Sequence, residues 1–499
     1  MEPHPTTPAP HRLLDSFEQV PESMVLTLLQ NIDDRKSAGS DGIPGCILRD
    51  YAKDLAPTVT EIINASLVSS QLPTPLKLAT VSPIFKNGDP SLATQYRPIS
   101  LLPLVSKLLE KVVAVQLRRY LEEFCVIPKE QFAYRPHHST EDALVYATNN
   151  FLMAKDQGLH TGLVFVDMSK AFDRVQHQTL INDLSDIGIR GSALKWFINY
   201  LTDRQQQVRC GTTTSPPTPC SRGVPQGSVL GPLLFLLYTR HIPDILSEIK
   251  SIKCQLFADD ILIYCHGKSP ADLAVQLTDA VSRLKTWLDQ RGLCLNVEKT
   301  KAMFLAPTNH QLPSNISIRC CGSSLSIVDT YKYLGVIIDN SLSWDAHIDS
   351  VVSKASKKIG ALKRAGNSLT QNTRRQFYLA VIQADLMYGS NAFWTTLTSS
   401  RKDRLIRLSK RGLRAVINAP PTTRTKYILS LLKISPLETR MQYKLLNHTF
   451  RCIHNKASPL LCAQYQVRLP IHSTHRTTRA QTNTSLIIPR VSKSSVAKA

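Results

Sequence analysis

Two apolar segments of this sequence each end in aspartate, and this pattern constrains the chain more than any other. Gly162 to Val166 is a β-branched and aromatic run that predicts a buried strand, with Asp167 where the strand stops. Two further apolar runs flank Ala258-Asp259-Asp260, which predicts a tight hairpin with both acids at its tip. If these strands are neighbours in one sheet, the three carboxylates converge. A divalent cation would relieve their repulsion, and oxygen ligands favour Mg²⁺.

An Asp-Asp pair is often only a polar turn, and the chain contains such a pair in Asp33-Asp34. Arg35-Lys36 follow that pair directly, which is typical of a solvated helix end. Asp259-Asp260 differs because apolar residues flank it on both sides. Charged residues are costly inside an apolar hairpin, so their presence there calls for an explanation. Together with Asp167, this pair therefore favours a two-metal phosphoryl-transfer site.

The acid hairpin and the motifs around it resemble the reverse transcriptase of non-LTR, LINE-type retrotransposons. Phe257-Ala258-Asp259-Asp260 resembles the catalytic box of that family, and the resemblance runs in the family's order from about Lys36 to about Ile348. It is closest to the Jockey-like and chicken-repeat-like branches. The other matching segments are Lys36–Pro44 before the fingers, Tyr96–Leu102 and Gln131–Pro136 in the fingers, Gly223–Pro232 at the template and nucleotide pocket, Leu295–Thr300 in the last palm motif, and Tyr331–Val336 at the primer grip.

This resemblance implies a fold and a division of the chain. The expected fold class is α+β, a right-hand polymerase with fingers, a palm with an antiparallel sheet, a helical thumb and a basic helical C-terminal region. The expected divisions are a disordered N-terminus and pre-fingers extension at 1–75, fingers and palm at 76–345, a basic thumb at 346–440, and a helical segment with a loose basic tail at 441–499.

The resemblance also implies a reaction, RNA-directed DNA polymerisation. A primer 3′-hydroxyl would attack the α-phosphorus of a deoxynucleoside triphosphate. Asp167 and Asp259 would hold two Mg²⁺ ions, with Asp260 as the less direct third acid and Mn²⁺ as a possible substitute. The implied partners are an RNA template, a DNA primer, the RNA-DNA duplex and dNTP.

Further roles follow from the resemblance for residues around the incoming nucleotide. Gln226 and Gly227 would line its pocket, in a loop whose glycines and prolines allow close approach of another chain. Phe172 would lie under the sugar, where a 2′-hydroxyl would clash, although an ordinary core Phe is the competing interpretation. Lys86 and Arg97, on the two arms of a hairpin, would meet the triphosphate, and solvated surface cations are the alternative.

Two motifs near the end of the palm complete the implied site. Lys299 resembles the lysine that protonates the departing pyrophosphate, but Lys301 lies on the same face of an extended segment and competes for that role. Tyr333, Leu334 and Gly335 form the expected primer grip.

Charge is unevenly distributed along the 499 residues. The formal net charge is +22, and residues 351–451 contain 20 Lys and Arg against three acids. Because these cations recur at helical spacings among leucines, the region predicts basic amphipathic helices that bind a phosphate backbone. A solvated basic face or a nuclear-import signal is the alternative.

The sequence shows neither a long apolar span nor a signal-type N-terminus. We therefore expect a protein of the nucleus or cytoplasm that is not secreted and has no transmembrane segment.

Other functional classes stay open at this point. A catalytically silent RNA-binding protein with the same fold, domesticated or maturase-like, is the main alternative, and Phe172 opposes an RNA-dependent RNA polymerase. A full LINE protein carries an endonuclease ahead of the polymerase, so a separate endonuclease is an expected partner. The eleven cysteines are scattered, and no structural zinc is expected.

Periodicity and helix breakers predict several local elements. Helices are expected at Glu22 to Ile32, at Leu104 to Phe124, and from a Ser269 cap to a Gly292 stop. Residues 1 to about 20 are expected to be disordered, and the tail beyond about Pro470 is expected to be loose.

Overall fold

The computed structural model describes residues 13–307, 316–320 and 322–465, with two short strands at 467–468 and 485–486. It confirms the α+β class. The α-helices of the described residues are α1 (Glu22–Gln30), α2 (Gly45–Asp50), α3 (Ala52–Ser69), α4 (Leu104–Glu123), α5 (Thr140–Asp156), α6 (His177–Asp186), α7 (Gly191–Leu201), α8 (Gly231–Tyr238), α9 (Ile242–Ser247), α10 (Pro270–Gln290), α11 (Asp345–Arg364), α12 (Gln371–Phe377), α13 (Ala384–Met387), α14 (Ser399–Val416), α15 (Thr425–Leu432), α16 (Leu437–Ile453) and α17 (Pro459–Cys462). The strands are β1 (Leu78–Phe85), β2 (Tyr96–Leu101), β3 (His160–Val166), β4 (Gln205–Cys210), β5 (Thr213–Thr214), β6 (Thr218–Pro219), β7 (Lys253–Phe257), β8 (Asp260–Gly267), β9 (Lys301–Leu305), β10 (Arg319–Cys320), β11 (Ser323–Ser324), β12 (Ser326–Ile327), β13 (Thr330–Tyr333), β14 (Val336–Asp339), β15 (Val467–Arg468) and β16 (Ser485–Leu486).

The chain forms two compact units, each built from separate segments. The first unit comprises Met1–Pro128, Met168–Ile245 and Leu284–Leu295, and the second comprises Lys129–Asp167, Leu246–Arg283 and Asn296–Ala499. The sequence-based division at residues 75, 345 and 440 stays a prediction.

The first unit contains a mixed sheet with strand order β2-β1-β4-β5, in which β6 also pairs with β4. Strands β1 and β2 form an antiparallel hairpin, whereas β1 and β4 run parallel. Helix α4 buries Leu108, Leu109, Val112 and Val113 because these residues recur on one helical face.

The second unit is built on a sheet with strand order β12-β9-β3-β8-β7. Its central strand β3 is antiparallel to both β8 and β9, and its residues from Thr161 to Val166 are buried. Gly162 makes room for a helix here, since a β-carbon on Gly162 would lie 2.7 Å from a methyl group of Leu277 in α10. The predicted packing of this helix beneath the sheet is thus confirmed.

A group of helices follows the sheet in the second unit. Helix α11 packs along α14, and Gly412 of α14 allows close approach to Tyr378, whose ring would lie 2.8 Å from a β-carbon at that position. Tyr378 begins a π-helical stretch between α12 and α13, and its hydroxyl hydrogen-bonds Ser409 Oγ (2.8 Å). These contacts fix the helices against one another through buried polar and aromatic groups.

The local predictions have mixed outcomes. Helices are confirmed at Glu22–Gln30, Leu104–Glu123 and Pro270–Gln290, and Ser269 Oγ accepts a hydrogen bond from the Asp272 N–H as a cap. The prediction that residues up to about 20 are disordered is wrong for the described part. Phe17 is buried and makes edge-on contacts with Trp196 and Phe197, an apolar anchor that composition did not reveal.

Residues 1–12 and, except for Ser485–Leu486, the tail beyond Pro470 lie outside the described residues. Within the described part of the chain, no helix combines the length and apolar character needed to cross a membrane.

Candidate active site

Asp167 lies directly after the buried strand β3, as predicted. Its backbone is held from both sides by a later segment of the second unit. The N–H of Asp167 donates to Thr300 Oγ1 (3.3 Å), and its carbonyl oxygen accepts from the Asn296 N–H (2.8 Å). Asn296 and Thr300 therefore fix the end of the strand from which the acid projects.

The predicted acid hairpin is confirmed. Phe257 of β7 pairs with Asp260 of β8, which leaves Ala258 and Asp259 as a two-residue turn. Ala258 has φ 56°, as turns that match the twist of a hairpin require, although a side chain is unfavourable in this conformation. The buried Gln131 side chain stabilises the turn, since its Oε1 accepts from the Ala258 N–H (3.0 Å).

The register of the sheet brings the two acidic segments together. Val166 pairs with Ile261, so that the next pair in this antiparallel register is Asp167 with Asp260. Desolvation, followed by the negative charges of Asp259 and Asp167, raises the pKa of Asp260 to about 6. The three predicted acids thus lie close enough to repel one another.

An aromatic stack lies beside the acids in the second unit. Tyr331 lies almost parallel to Phe165, with ring centroids 4.1 Å apart. Phe165 is two residues before Asp167 and therefore on the same face of the strand. Desolvation, then the charges of Asp260 and Asp167, raise the pKa of Tyr331 to about 12. Tyr331 was not among the predicted site residues, although the alternation of Tyr331 and Tyr333 in one strand could have indicated it.

A second tyrosine lies close to the acid hairpin. Tyr134 is half exposed, has φ 57°, and has a raised pKa because of desolvation and the charge of Asp259. The motif that contains Tyr134 and Gln131 was assigned to the fingers. Its placement beside the acid turn is a feature that sequence alone did not predict.

The predicted primer-grip residues lie at the turn between β13 and β14. Tyr333 pairs with Val336, so Leu334 and Gly335 form the turn. Tyr333 is 3% exposed and packs its ring near Phe165, with centroids 5.6 Å apart. Its side chain therefore belongs to the core, and only Leu334 and Gly335 of the three are accessible at the surface.

In the first unit, Gln226 and Phe172 belong to one wall of contacting residues. The Gln226 side-chain amide donates to Asp173 Oδ1 (3.2 Å), and the Val224 N–H donates to the Phe172 carbonyl oxygen (2.9 Å). The Phe172 ring is stacked on Phe235, with centroids 4.4 Å apart. Asp173, whose pKa is raised by burial, is a further polar group of this wall that the sequence analysis missed.

Gly227 lies where its loop touches strand β2. A β-carbon on Gly227 would lie 2.7 Å from the Ser100 carbonyl oxygen, and its φ of 118° is unfavourable for other residues. The Gln226 carbonyl oxygen accepts from the Ser100 N–H (2.7 Å). The glycine is therefore needed for close packing of the loop against the hairpin.

Glu110 supports the other end of the same loop. Its fully buried carboxylate accepts from the N–H groups of Val229 (2.6 Å) and Leu230 (3.1 Å), just before α8 begins. Burial raises the pKa of this carboxyl despite these hydrogen bonds. An acid among Leu109, Val112 and Val113 was the available sequence signal for it.

The predicted cations are placed less tightly. Lys86 follows β1 directly, and Arg97 lies on β2 opposite Ile84, so that both belong to one hairpin, as predicted. Both are exposed, and the charge of Lys86 reaches Asp173. Lys299 is also exposed, and within the described residues only its backbone N–H is engaged, as a donor to Asn296 Oδ1 (3.2 Å).

Asp259 and Asp260 of the acid cluster are exposed. Among the described residues, no three His, Cys, Asp or Glu side chains are grouped so as to hold a metal ion. The donor chemistry fits a divalent cation nonetheless, because carboxylates are the hard oxygen ligands that Mg²⁺ prefers and the repulsion on Asp260 is of the kind a cation relieves.

The sequence of this region matches a known family. Residues 84–338, half of the chain, match the family described as reverse transcriptase (RNA-dependent DNA polymerase), and the chain belongs to that family. Its relatives are reverse transcriptases of non-LTR retrotransposons, as the motifs predicted.

Two Drosophila melanogaster relatives illustrate the extent of this similarity. A probable RNA-directed DNA polymerase from transposon BS is 28% identical over 79% of this chain and 44% of the relative. The RNA-directed DNA polymerase from mobile element jockey is 25% identical over 84% of this chain and 46% of the relative. The chain thus spans less than half the length of these relatives.

One solved structure is similar to part of this chain. Apo telomerase from Candida tropicalis, truncated from its C-terminal domain, is 16% identical over 55% of this chain and 56% of that chain. The TM-score of this match is 0.38.

Proposed function

We propose that this chain is an RNA-directed DNA polymerase that adds deoxynucleotides to a primer 3′-hydroxyl. The observation that carries the proposal is the acid cluster at one end of a buried sheet, where desolvation, followed by the charges of Asp259 and Asp167, raises the pKa of Asp260 to about 6. A buried strand and a constrained turn hold these acids in place. Such a site is suited to phosphoryl transfer with divalent cations.

The acids would hold two Mg²⁺ ions, with Asp167 and Asp259 as the principal ligands and Asp260 as a less direct one. Bound there, the cations would lower the pKa of the primer hydroxyl and stabilise the leaving pyrophosphate. The chain's own contribution is to hold the carboxylates rigidly. Asn296 and Thr300 do so for Asp167, and Gln131 does so for the hairpin turn.

Nucleotide selection is proposed for the wall formed by Phe172, Asp173 and Gln226. The Phe172 ring is supported from behind by Phe235, so it cannot easily retreat from a 2′-hydroxyl. Such support is expected of a residue that excludes ribonucleotides. Lys86 and Arg97 would bind the triphosphate, and Lys299 is the proposed acid for pyrophosphate.

Binding of RNA template and RNA-DNA duplex is proposed for the basic helices α11 and α14. Not all their cations are available, because Arg401 and Arg404 form ion pairs with Asp345 and Asp349. These two acids precede the basic region in sequence, and the charge count therefore overestimated the free positive charge. The exposed cations that remain on these helices are Lys354, Lys357, Lys363, Arg364, Arg407 and Arg411.

The proposal is tested by primer extension on an RNA template with a DNA primer, dNTPs and Mg²⁺. The expected result is template-directed extension that requires the divalent cation and prefers dNTPs over rNTPs. Salt-sensitive RNA binding without any extension would overturn the proposal and favour the catalytically silent RNA-binding protein.

A further inference from the structure

The turn between β13 and β14 has an unfavourable backbone conformation. Leu334 has φ 44° and Gly335 has φ 86°, so both residues of this two-residue turn are left-handed. Such a turn suits the twist of a hairpin, and glycine adopts it freely. Leucine does not, because its β-carbon crowds the backbone in this region. The turn therefore depends on contacts from outside the hairpin.

Tyr388 supplies such a contact from the helical part of the same unit. Its hydroxyl donates to the Leu334 carbonyl oxygen (2.8 Å). Its ring lies over Gly335, where a β-carbon would be only 2.9 Å from Tyr388 Cε1. The neighbouring Gly389 is equally close to the hairpin, since a β-carbon there would be 2.7 Å from a methyl group of Val336.

The segment that carries Tyr388 is itself anchored. Lys444 of α16 donates to the Met387 carbonyl oxygen (2.6 Å) and forms an ion pair with Glu141 at the start of α5. Tyr388 follows α13 directly and precedes Gly389, which has φ 63°. A hydroxyl held by such a segment can act as a fixed support for the turn.

Tyr388 also remains accessible, with 43% of its surface exposed. Its position therefore combines support for Leu334 and Gly335 with a surface that is open to a ligand lying on that turn.

We propose that Tyr388 is a positioning residue for the primer. By holding the Leu334-Gly335 turn against the helices, it fixes the place where the 3′ end of the primer strand lies. The inference rests on the proposed function, in which this turn is the primer grip. It adds a residue from the helical region that the reverse-transcriptase motifs do not include.

Tyr388→Phe tests the inference because it removes the hydroxyl and keeps the ring. We expect the Kd for a fluorescent primer-template duplex, measured by anisotropy without dNTP, to rise about fivefold, as for loss of one hydrogen bond. The KM for primer-template should rise similarly while kcat changes little. Tyr427→Phe, at a tyrosine on α15 that is 61% exposed, is the matched control and should leave both values unchanged.

A second variant separates positioning from a general loss of structure. Gly335→Ala would push the Tyr388 ring away, so the double variant Gly335→Ala/Tyr388→Phe should bind primer-template no more weakly than Gly335→Ala alone. Additive effects would overturn the inference, as would an unchanged Kd and KM in Tyr388→Phe or an equal change in Tyr427→Phe. Failure of the wild type to extend any primer would count against the proposed function instead, and the anisotropy measurement would still decide the role of Tyr388.

Discussion

Tyr331 is stacked on Phe165 with ring centroids 4.1 Å apart and an interplanar angle of 13°, two residues along the strand from Asp167. The stack connects the β13–β14 hairpin to the strand that carries the first acid. Its rings form an apolar surface beside the carboxylates. Desolvation, then the charges of Asp260 and Asp167, raise the pKa of Tyr331, as expected for a ring that lies beside the carboxylates.

Loss of this stack should lower both the stability and the activity of the protein, although no acidic residue is changed. Tyr331→Ala is expected to lower the free energy of unfolding by about 2 kcal/mol, because a half-buried aromatic ring is lost. It should also lower kcat, whereas Tyr331→Phe keeps the ring and should stay close to wild type in both. Chemical denaturation and steady-state extension measure the two effects. Equal loss of kcat in the Phe variant would assign the role to the hydroxyl instead of the ring.

Asp260 should reduce the stability of the metal-free protein at neutral pH. Its native pKa of about 6 lies above the ordinary value of 3.8, so the native state binds this proton more tightly than the unfolded chain does. The free energy of unfolding therefore falls as the pH rises from 3.8 to about 6. Neighbouring protein atoms desolvate the Asp260 carboxylate, but the residue is still exposed and water screens its charge, so Asp260→Asn should add only about 1 kcal/mol at pH 7.5.

Thermal unfolding with and without Mg²⁺ measures this effect. Mg²⁺ should raise the melting temperature of the wild type and have less effect on Asp260→Asn. An equal Mg²⁺ response in both proteins would contradict the assignment of Asp260 to the metal site.

Phe172 should determine the preference for deoxynucleotides. Phe172→Val removes the ring that is stacked on Phe235 and leaves room for a 2′-hydroxyl. The ratio of kcat/KM for rNTP to kcat/KM for dNTP should therefore rise at least tenfold. A tenfold change corresponds to about 1.4 kcal/mol of lost discrimination. Competition between dNTP and rNTP in single-nucleotide extension measures the ratio. Phe235→Leu, which alters the support without opening the sugar position, should shift it less. An unchanged ratio in Phe172→Val would show that Phe172 is an ordinary core residue.

His347 should make the protein sensitive to mild acid. Burial, followed by the charge of Lys354, lowers the pKa of His347 to about 4, and its Nδ1 accepts from the Ile337 N–H (3.3 Å). The unfolded chain binds a proton below about pH 6.5 that the native ring does not, so stability falls as the pH drops from there towards 4.

The free energy of unfolding of the wild type should fall between pH 7.5 and pH 5. In His347→Gln this fall should be smaller by about 2 kcal/mol, because the glutamine side chain does not titrate. Urea unfolding at the two pH values measures the difference. His266, whose pKa is also lowered to about 4 by burial, titrates in both proteins and cancels in the comparison. Parallel pH curves for wild type and variant would contradict this account.

The parts of the site that the sequence predicted are those encoded locally. Asp167 was identifiable because the buried run before it stops abruptly, and the acid hairpin because apolar residues flank a two-residue turn. Helix ends at Ser269 and Gly292 were likewise signalled by capping and breaking residues.

The parts that were missed depend on contacts between distant segments. The Gln131 amide reaches the Ala258 N–H across 127 positions, and no local pattern encodes that hydrogen bond. The ion pair between Arg401 and Asp345 likewise joins residues 56 positions apart and escaped a count of charge in one window. Phe17 was assigned to a disordered segment because composition cannot show that one ring is buried against another helix.

The central claim is that Asp259 and its neighbours perform the chemistry, and primer extension by three proteins in parallel tests it most directly. The wild type, Asp259→Ala and the control Asp34→Ala, which alters the solvated acidic pair, are compared on one RNA template with dNTPs and Mg²⁺. We predict extension by the wild type and by Asp34→Ala, and its loss in Asp259→Ala while binding of the primer-template is retained. Undiminished extension by Asp259→Ala would contradict the account.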